Sequence, residues 1–210
     1  MFKVIVIALP GAGKTTILQR VSEQIKDLKL INFGDIMFEE ARRSLGIASR
    51  DDMRRLMDSE SYIRVQERAA EIIGGMSGKI VIDTHAAIKT VNGYYPGLPP
   101  TVTRLVKPKS IIFLEFRPED IINRRMKDSA AGVRRREHES IEEIEEHQRI
   151  SLMFAVASAT YSSCYFVKLS LRYPETYPYQ HVDDAASRLI QYLKSLAVGS
   201  APLSKTVGQP

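Results

Sequence analysis

The chain has 210 residues, 44% of them hydrophobic, which is enough for one globular domain with a buried core. Its 30 Lys and Arg against 25 Asp and Glu give a net charge of +5 in short clusters, which favours compact anionic ligands over duplex nucleic acid. No apolar run reaches the roughly 20 residues of a membrane span, and the single cysteine, Cys164, excludes an internal disulfide and predicts a cytoplasmic protein.

The apolar pattern predicts alternating strands and helices, from β-branched runs of strand length and from apolar residues spaced three and four apart. In chain order these are a strand at 2–9, helix at 15–26, strand at 28–33, helix at 35–45, helix at 51–73, strand at 79–83, strand at 110–116, helix at 118–127, helix at 140–161, strand at 165–171 and helix at 182–196. Because parallel strands need crossover connections, this order predicts an α/β fold, a parallel sheet with helices on both faces.

Three segments lack such periodicity. Residues 84–101 contain Asn92-Gly93 and Pro96-Gly97 and are expected to form a long loop, a feature that is usually functional in a compact domain. Residues 128–140 are small and charged, so we expect them to be exposed and mobile. The tail at 199–210 is expected to be disordered. The prediction is therefore one domain over residues 1–198.

The strongest chemical signal joins the first strand to the first helix and fits a loose Walker A pattern with alanine at the first glycine. It consists of Ala8, Leu9, Pro10, Gly11, Ala12, Gly13, Lys14, Thr15 and Thr16. In such a motif backbone N–H groups hold phosphate oxygens, the lysine reaches the β and γ phosphates, and the hydroxyl coordinates Mg²⁺. We therefore predict ATP binding here, with Thr15 as a Mg²⁺ ligand. The alternative is an ordinary glycine turn, and a positive φ at Ala8 would cost about 1 kcal/mol.

Asp83 ends an apolar strand that is expected to lie beside the first strand. A carboxylate there can hold Mg²⁺ through water, although an acid that only caps the strand end is the alternative. His85, two residues further on, is a candidate for substrate contact. A histidine metal site is not expected, because the other histidines have no ligand-like spacing to His85.

Two basic clusters are the candidate catalytic groups, because phosphoryl transfer mainly requires cations around the transferred group. Arg124, Arg125 and Lys127 precede, and residues 134–136 follow, a small polar segment, which predicts a lid at about 127–140. The alternative is a solvated basic loop balanced by the acidic residues between 137 and 146. Earlier in the chain, adjacent Arg54 and Arg55 are candidates to hold a second anion, but only one of them can face the same pocket.

Several stretches together resemble the archaeal-type adenylate kinase family, over most of residues 1–196. They are Pro10-Gly11-Ala12-Gly13-Lys14-Thr15-Thr16, Asn32-Phe33-Gly34-Asp35, Arg50-Asp51-Asp52-Met53-Arg54-Arg55-Leu56, Asp83-Thr84-His85, Gly93-Tyr94-Tyr95-Pro96-Gly97-Leu98-Pro99 and Ile144-Glu145-Glu146-His147-Gln148. The Asp-Thr-His and Gly-Tyr-x-Pro-Gly-Leu-Pro segments are the most specific of these. The Walker A pattern alone would indicate only a superfamily.

The resemblance implies conversion of ATP and AMP into two ADP, on a P-loop fold with a five-stranded parallel sheet, an AMP-binding arm, a short lid and often a trimeric assembly. It implies an AMP side built from Gly34, Asp35, Arg54, His85, Lys89, Gly93 and Gly97. It implies a lid side built from Arg124, Arg134 and Arg136, with Lys14 and these arginines as the catalytic set.

The chain departs from this family at three places. Ala8 replaces a glycine, and Leu152 stands where the family is expected to have an arginine that contacts phosphate. Arg149, three residues earlier on the same helix, is a candidate replacement. The segment at 173–180, rich in Pro and Tyr, is an addition that we expect to border the adenine pocket.

Two other functions remain open from the sequence. One is a P-loop kinase for a different nucleoside monophosphate or another small molecule. The other is a nucleotide-gated RNA-binding or maturation factor, which the high pI favours but which no aromatic and basic RNA-reading motif supports.

Overall fold

A computed structural model of the chain describes residues 1–50, 52–53, 57–130 and 139–198. The predicted site residues Arg54, Arg134 and Arg136, most of the predicted lid and the tail lie outside these ranges.

The described elements alternate as the sequence predicts. They are β1 (Phe2–Ile7), α1 (Lys14–Gln24), β2 (Leu28–Asn32), α2 (Phe33–Leu45), α3 (Ser59–Gly75), β3 (Lys79–Thr84), β4 (Ala87–Thr90), β5 (Gly93–Pro96), α4 (Pro100–Val106), β6 (Ser110–Phe116), α5 (Pro118–Ala130), α6 (Ile141–Tyr161), β7 (Tyr165–Leu171) and α7 (Gln180–Val198).

Five parallel strands form the central sheet in the order β2, β3, β1, β6, β7, which confirms the predicted architecture. In β1, Val4 and Val6 belong to one hydrophobic core, whereas Ile5 and Ile7 belong to a second core on the opposite face. Strands covered on both faces are apolar throughout, which explains the unbroken hydrophobic run at the start of the chain. The first core is closed by α1 and α7, and the second mainly by α2, α3, α4 and α6.

The third long helix begins later than predicted. Asp58, rather than Asp51 or Asp52, is the N-cap of α3, and its carboxylate accepts a hydrogen bond from the backbone N–H of Ser61 at 2.7 Å. Arg50, Asp52 and Met53 lie in a separate helical segment, in which the backbone N–H of Asp52 donates to the Ser49 hydroxyl at 3.0 Å. All three acids are good caps, so the sequence alone does not choose between them.

The predicted long loop at 84–101 is wrong. An antiparallel hairpin of β4 and β5 occupies it, with Thr90 paired to Gly93 across a two-residue turn. The Asn92-Gly93 dipeptide is a strong hairpin signal, and Gly93 adopts a φ of 109°, which glycine tolerates. The flanking residues do not alternate between apolar and polar, which is why the periodicity missed these strands.

Gly74 and Gly75 at the end of α3 offer a matched pair of stability tests. A Cβ on Gly74 would lie 2.4 Å from the backbone O of Leu105 in α4, whereas a Cβ on Gly75 would meet nothing within 4 Å. We expect Gly74→Ala to lower the free energy of unfolding by about 1–3 kcal/mol through overpacking. Gly75→Ala should leave it unchanged or raise it by up to about 1 kcal/mol. Urea unfolding measures both, and equal stabilities would contradict this close helix contact.

Candidate active site

The turn between β1 and α1 has the backbone of an anion-binding loop. Gly11 and Gly13 adopt φ angles of 85° and 87°, a left-handed region in which glycine is favoured. Gly13 is the N-cap of α1, and it has no side chain to accept hydrogen bonds from the first amides of the helix. These amides, at the positive end of the helix dipole, are therefore available to an anion. Thr15 and Thr16 are exposed in this first helical turn.

Ala8 fits its position without strain. Among the described residues other than glycine, positive φ occurs only at Asp27, Lys107, Ser163 and Tyr179. Ala8 is 1% exposed and packs into the core. The anticipated cost of replacing glycine there does not arise. Its carbonyl lies 2.8 Å from Nδ1 of His85, which fixes that imidazole beside the turn.

Lys14 is buried and faces the end of β3. Its ammonium forms an ion pair with Asp83 and donates a hydrogen bond to the backbone O of Thr84. Burial lowers the pKa of Lys14, while the neighbouring Asp83 opposes that shift. The register pairs Val6 with Asp83, so the acid lies beside the first strand as predicted. Lys14 and Asp83 thus meet at the carboxyl ends of adjacent parallel strands.

Asn32 connects this pair to the opposite half of the site. Its side-chain Nδ2 donates to Oδ2 of Asp83 at 3.3 Å. Its Oδ1 accepts from the backbone N–H of Asp35 at 3.1 Å and so caps α2. One amide side chain therefore orients both the acid at the end of β3 and the first turn of α2.

Arg124 lies against the turn at residues 8–16, which we call the phosphate turn. Its Nη1 donates to the backbone O of Ala12 at 2.8 Å, and its Nη2 donates to Nδ1 of His181 at 2.8 Å. Glu175 lies 3.7 Å away, and the guanidinium stands 4.9 Å from the centre of the Phe116 ring. Burial lowers the pKa of Arg124, but an arginine stays charged at physiological pH.

His181 and Glu175 were missed by the sequence analysis. His181 is fully buried and accepts from Arg124 through Nδ1, so its Nε2 carries the proton that is donated to the backbone O of Tyr173 at 2.7 Å. Glu175 lies in the segment at 173–180, which is rich in Pro and Tyr, and His181 follows this segment directly, in the first turn of α7. No local pattern predicted a partner for either residue, and only the unusual composition of the segment could have drawn attention to them.

Arg125 takes a different role from Arg124. Its Nε donates to the backbone O of Pro10 at 3.0 Å, and its Nη1 donates to Glu139. The other oxygen of Glu139 accepts from Lys89 of β4 at 2.9 Å, and Lys89 also lies 3.3 Å from Glu143. Burial opposes ionisation of Glu139, but the hydrogen bonds from Lys89 and Arg125 outweigh it and lower its pKa. The sequence analysis considered Glu139 only as part of a solvated acidic run, in the alternative to a lid, whereas its side chain is 14% exposed.

The predicted AMP side is partly assembled from described residues. Asp35 at the start of α2 forms an ion pair with Arg50, and Gly34 precedes it. Gly97 lies so close to His85 that a Cβ would stand 2.0 Å from the backbone O of His85. Its N–H donates to the backbone O of Ala86 at 2.7 Å, which ties the return of the hairpin to the chain beside the phosphate turn.

Arg149 does not take the position of the arginine that was expected at residue 152 of α6. Leu152 packs against the second hydrophobic core, while Arg149 is exposed on the surface of the helix. The buried side of α6 carries His147, Gln148 and Ser151 instead. Residues three apart on a helix differ in direction by about 60°, which is enough to leave Arg149 on the surface while Leu152 faces the core.

Within the described ranges, no group of three or more His, Cys, Asp and Glu side chains could hold a metal ion. A protein cage for a metal is therefore absent from that part of the chain. Mg²⁺ does not need one, because it usually retains waters and binds through one or two protein oxygens and the phosphates of a substrate. None of the described helices is long and apolar enough to cross a membrane.

The family profile of the AAA domain matches residues 7–145. An adenylate kinase of Pyrobaculum aerophilum is 42% identical over 192 residues, which cover 91% of this chain and 96% of the relative. That of Pyrococcus abyssi is 36% identical over 195 residues, covering 91% and 95%. That of Thermoplasma acidophilum is 39% identical over 158 residues, covering 75% and 83%.

Solved structures share the fold at low sequence identity. Shikimate kinase from Bacteroides thetaiotaomicron has a TM-score of 0.54 at 12% identity and covers 92% of this chain and 98% of its own. Shikimate kinase from Acinetobacter baumannii, in complex with shikimate, has a TM-score of 0.51 at 15% identity and covers 95% and 94%. Likeness at these identities establishes the P-loop kinase fold alone.

The lowered pKa of Glu139 gives a pH-dependent test of its contacts. Glu139→Gln should lower the free energy of unfolding at pH 7 by about 1.5–3 kcal/mol, because hydrogen bonds to a buried charge are lost. The pKa of Glu139 in the folded protein lies below its unfolded value of about 4.3. The stability difference between the unsubstituted protein and the variant is therefore complete above about pH 4.3. It should shrink as the pH falls through the folded pKa. Urea unfolding from pH 7 to pH 3 measures the difference, and a difference that stays constant would contradict the assignment.

Proposed function

This chain belongs to the adenylate kinase family, and from that premise we propose how its own residues carry the reaction. As an adenylate kinase it is a phosphotransferase that moves a phosphoryl group between ATP and AMP, giving two ADP. The observation that carries the placement of ATP is the turn at Gly11 and Gly13, from which Lys14 opens helix α1.

The ATP phosphates occupy the turn formed by residues 8–16. Amides at the start of α1 hold the phosphate oxygens, and Lys14 leaves Asp83 and Thr84 to reach the β and γ phosphates. This change exchanges one anionic partner for another, so the buried ammonium is never left without a counter-charge. The transfer needs little covalent chemistry from the protein, because alignment and cations supply most of the catalysis.

Mg²⁺ is assigned to the Thr15 hydroxyl and, through water, to Asp83. The donor set supports this assignment, because both groups offer the oxygen ligands that Mg²⁺ prefers. Oδ2 of Asp83 remains oriented by Asn32 when Lys14 turns away, which leaves Oδ1 for a water of the metal. Held there, Mg²⁺ would supply positive charge that offsets the negative charge of the phosphates.

AMP is assigned to the side that contains Gly34, Asp35, His85, Lys89, Gly93 and Gly97, together with Arg54. The hydrogen bond from His85 to Ala8 supports this arrangement, since it holds one of these residues beside the phosphate turn. Arg124, which contacts Ala12 of that turn, is assigned to the transferred group. Arg54, Arg134 and Arg136 lie outside the described residues, and their roles and the lid at 127–140 rest on the sequence pattern and the family resemblance.

We also propose a trimeric assembly, from the resemblance, and a cytoplasmic location, from the single cysteine. The trimer is tested by analytical ultracentrifugation of the full chain, for which we expect a mass of three chains. A monomer at all concentrations would contradict it.

Steady-state ADP formation with a panel of acceptors tests the substrate assignment. With Mg-ATP as donor, we expect AMP to be preferred over CMP, UMP and GMP. Shikimate should give no turnover above that of water, because its kinase shares only the fold. If AMP gave no more ADP than water while another acceptor did, the adenylate assignment would be wrong.

Replacing Lys14 tests the phosphate turn. We expect Lys14→Ala to reduce kcat by about 10²–10³-fold or more, as with other lost charge-stabilising donors, while far-UV circular dichroism stays unchanged. Lys194→Ala, on the exposed face of α7, is the matched control and should keep normal kcat. Near-normal turnover in Lys14→Ala would refute the assignment of this turn to ATP.

A further inference from the structure

Glu139 is a carboxylate shared between the two substrate sides. One of its oxygens accepts from Lys89 on the β4–β5 hairpin, and the other accepts from Arg125 of α5. Lys89 and Arg125 differ in exposure, with 41% and 9% of their side chains accessible. Each oxygen therefore serves one cation, and each cation belongs to a different half of the active site.

Arg125 links Glu139 to the phosphate turn. Its Nε donates to the backbone O of Pro10 at 3.0 Å, so the same guanidinium holds Glu139 and the turn. A planar guanidinium has several donors in fixed directions and can hold both partners at once. The chain of contacts thus runs from Lys89 through Glu139 and Arg125 to Pro10.

We propose that Glu139 is a positioning residue that couples AMP binding to ATP binding. This inference rests on the proposed function, in which Lys89 faces AMP. In the absence of nucleotide, the carboxylate of Glu139 is paired with the ammonium of Lys89, and the AMP phosphate replaces this carboxylate when it binds. Glu139 then pairs with Arg125 alone, which strengthens the hold of Arg125 on the phosphate turn and favours ATP.

Removal of the Glu139 carboxylate should therefore have two opposite effects: it strengthens AMP binding and abolishes the coupling between AMP and ATP. Without Glu139 the AMP phosphate competes for Lys89 only with the longer contact to Glu143, so AMP alone binds more tightly. Without Glu139 the arrival of AMP no longer alters Arg125, so AMP and ATP bind independently. By linkage, the factor by which ATP improves AMP binding equals the factor by which AMP improves ATP binding. A residue that only stabilised the fold would weaken AMP binding and leave this factor unchanged.

Glu143 provides a matched control because it also contacts Lys89 but not Arg125. Its backbone and side chain form a capping box with Ser140, and glutamine preserves such a box at this position. Glu143→Gln therefore removes one negative charge near Lys89 while it leaves the contact between Glu139 and Arg125 in place.

The experiment is calorimetric titration of AMP into the full-length parent, Glu139→Gln and Glu143→Gln, each with and without saturating Mg²⁺ and the non-hydrolysable analogue AMPPNP. We expect AMPPNP to tighten AMP binding to the parent about fivefold or more. For Glu139→Gln, AMP alone should bind about threefold tighter or better, and AMPPNP should change its Kd by less than about twofold. Glu143→Gln should keep the coupling of the parent.

An unchanged coupling factor in Glu139→Gln, or no coupling in the parent, would overturn the inference. A parent that binds no AMP would instead refute the proposed function. If Glu139→Gln does not fold, Arg125→Lys replaces it, since one ammonium cannot hold both Glu139 and Pro10 in the geometry of a guanidinium. That variant should lose the coupling and keep the AMP affinity of the parent, and retained coupling would overturn the inference.

Discussion

The structure depends on the parallel pairing of β1 with β3. The register that places Ile7 opposite Thr84 brings the end of β1 beside Asp83, and the chain then turns into α1. Because β1 is buried on both faces, its carboxyl end cannot shift without disturbing both hydrophobic cores. The amides at the start of α1 therefore lie on a rigid base, as a site for precise alignment of phosphates requires.

Four cations around this site, among the residues that the structure describes, are paired with acids of the same chain. The pairs are Lys14 with Asp83, Lys89 with Glu139, Arg124 with Glu175 and Arg125 with Glu139. A buried cation without a partner would be strongly unfavourable, so these acids stabilise the chain when no phosphate is bound. Substrate binding then becomes an exchange of counter-ions, and its net free energy is smaller than a sum of phosphate contacts would suggest.

Local patterns predicted most of the fold, and the errors have physical causes. The strand at 165–171 was predicted with the observed bounds, because its aromatic and apolar residues are typical of strands, although only Leu171 is buried. Asp58, Asp51 and Asp52 are equivalent caps by sequence, and only packing selected Asp58. The phosphate turn was predictable because its residues are contiguous. Glu139 and His181 were not, since their partners Lys89 and Arg124 are 50 and 57 residues away in the chain.

Asn32 has a consequence for how this enzyme can diverge. Its one side chain caps α2, which we assign to the acceptor side, and orients Asp83, which we assign to the donor side. Aspartate or serine would serve as the cap, but aspartate would bring a second negative charge against Asp83, and serine would lack the amide donor. Natural variation at this position is therefore constrained by two unrelated demands at once, and a change that adjusted the acceptor specificity there would also disturb the chemistry of the donor.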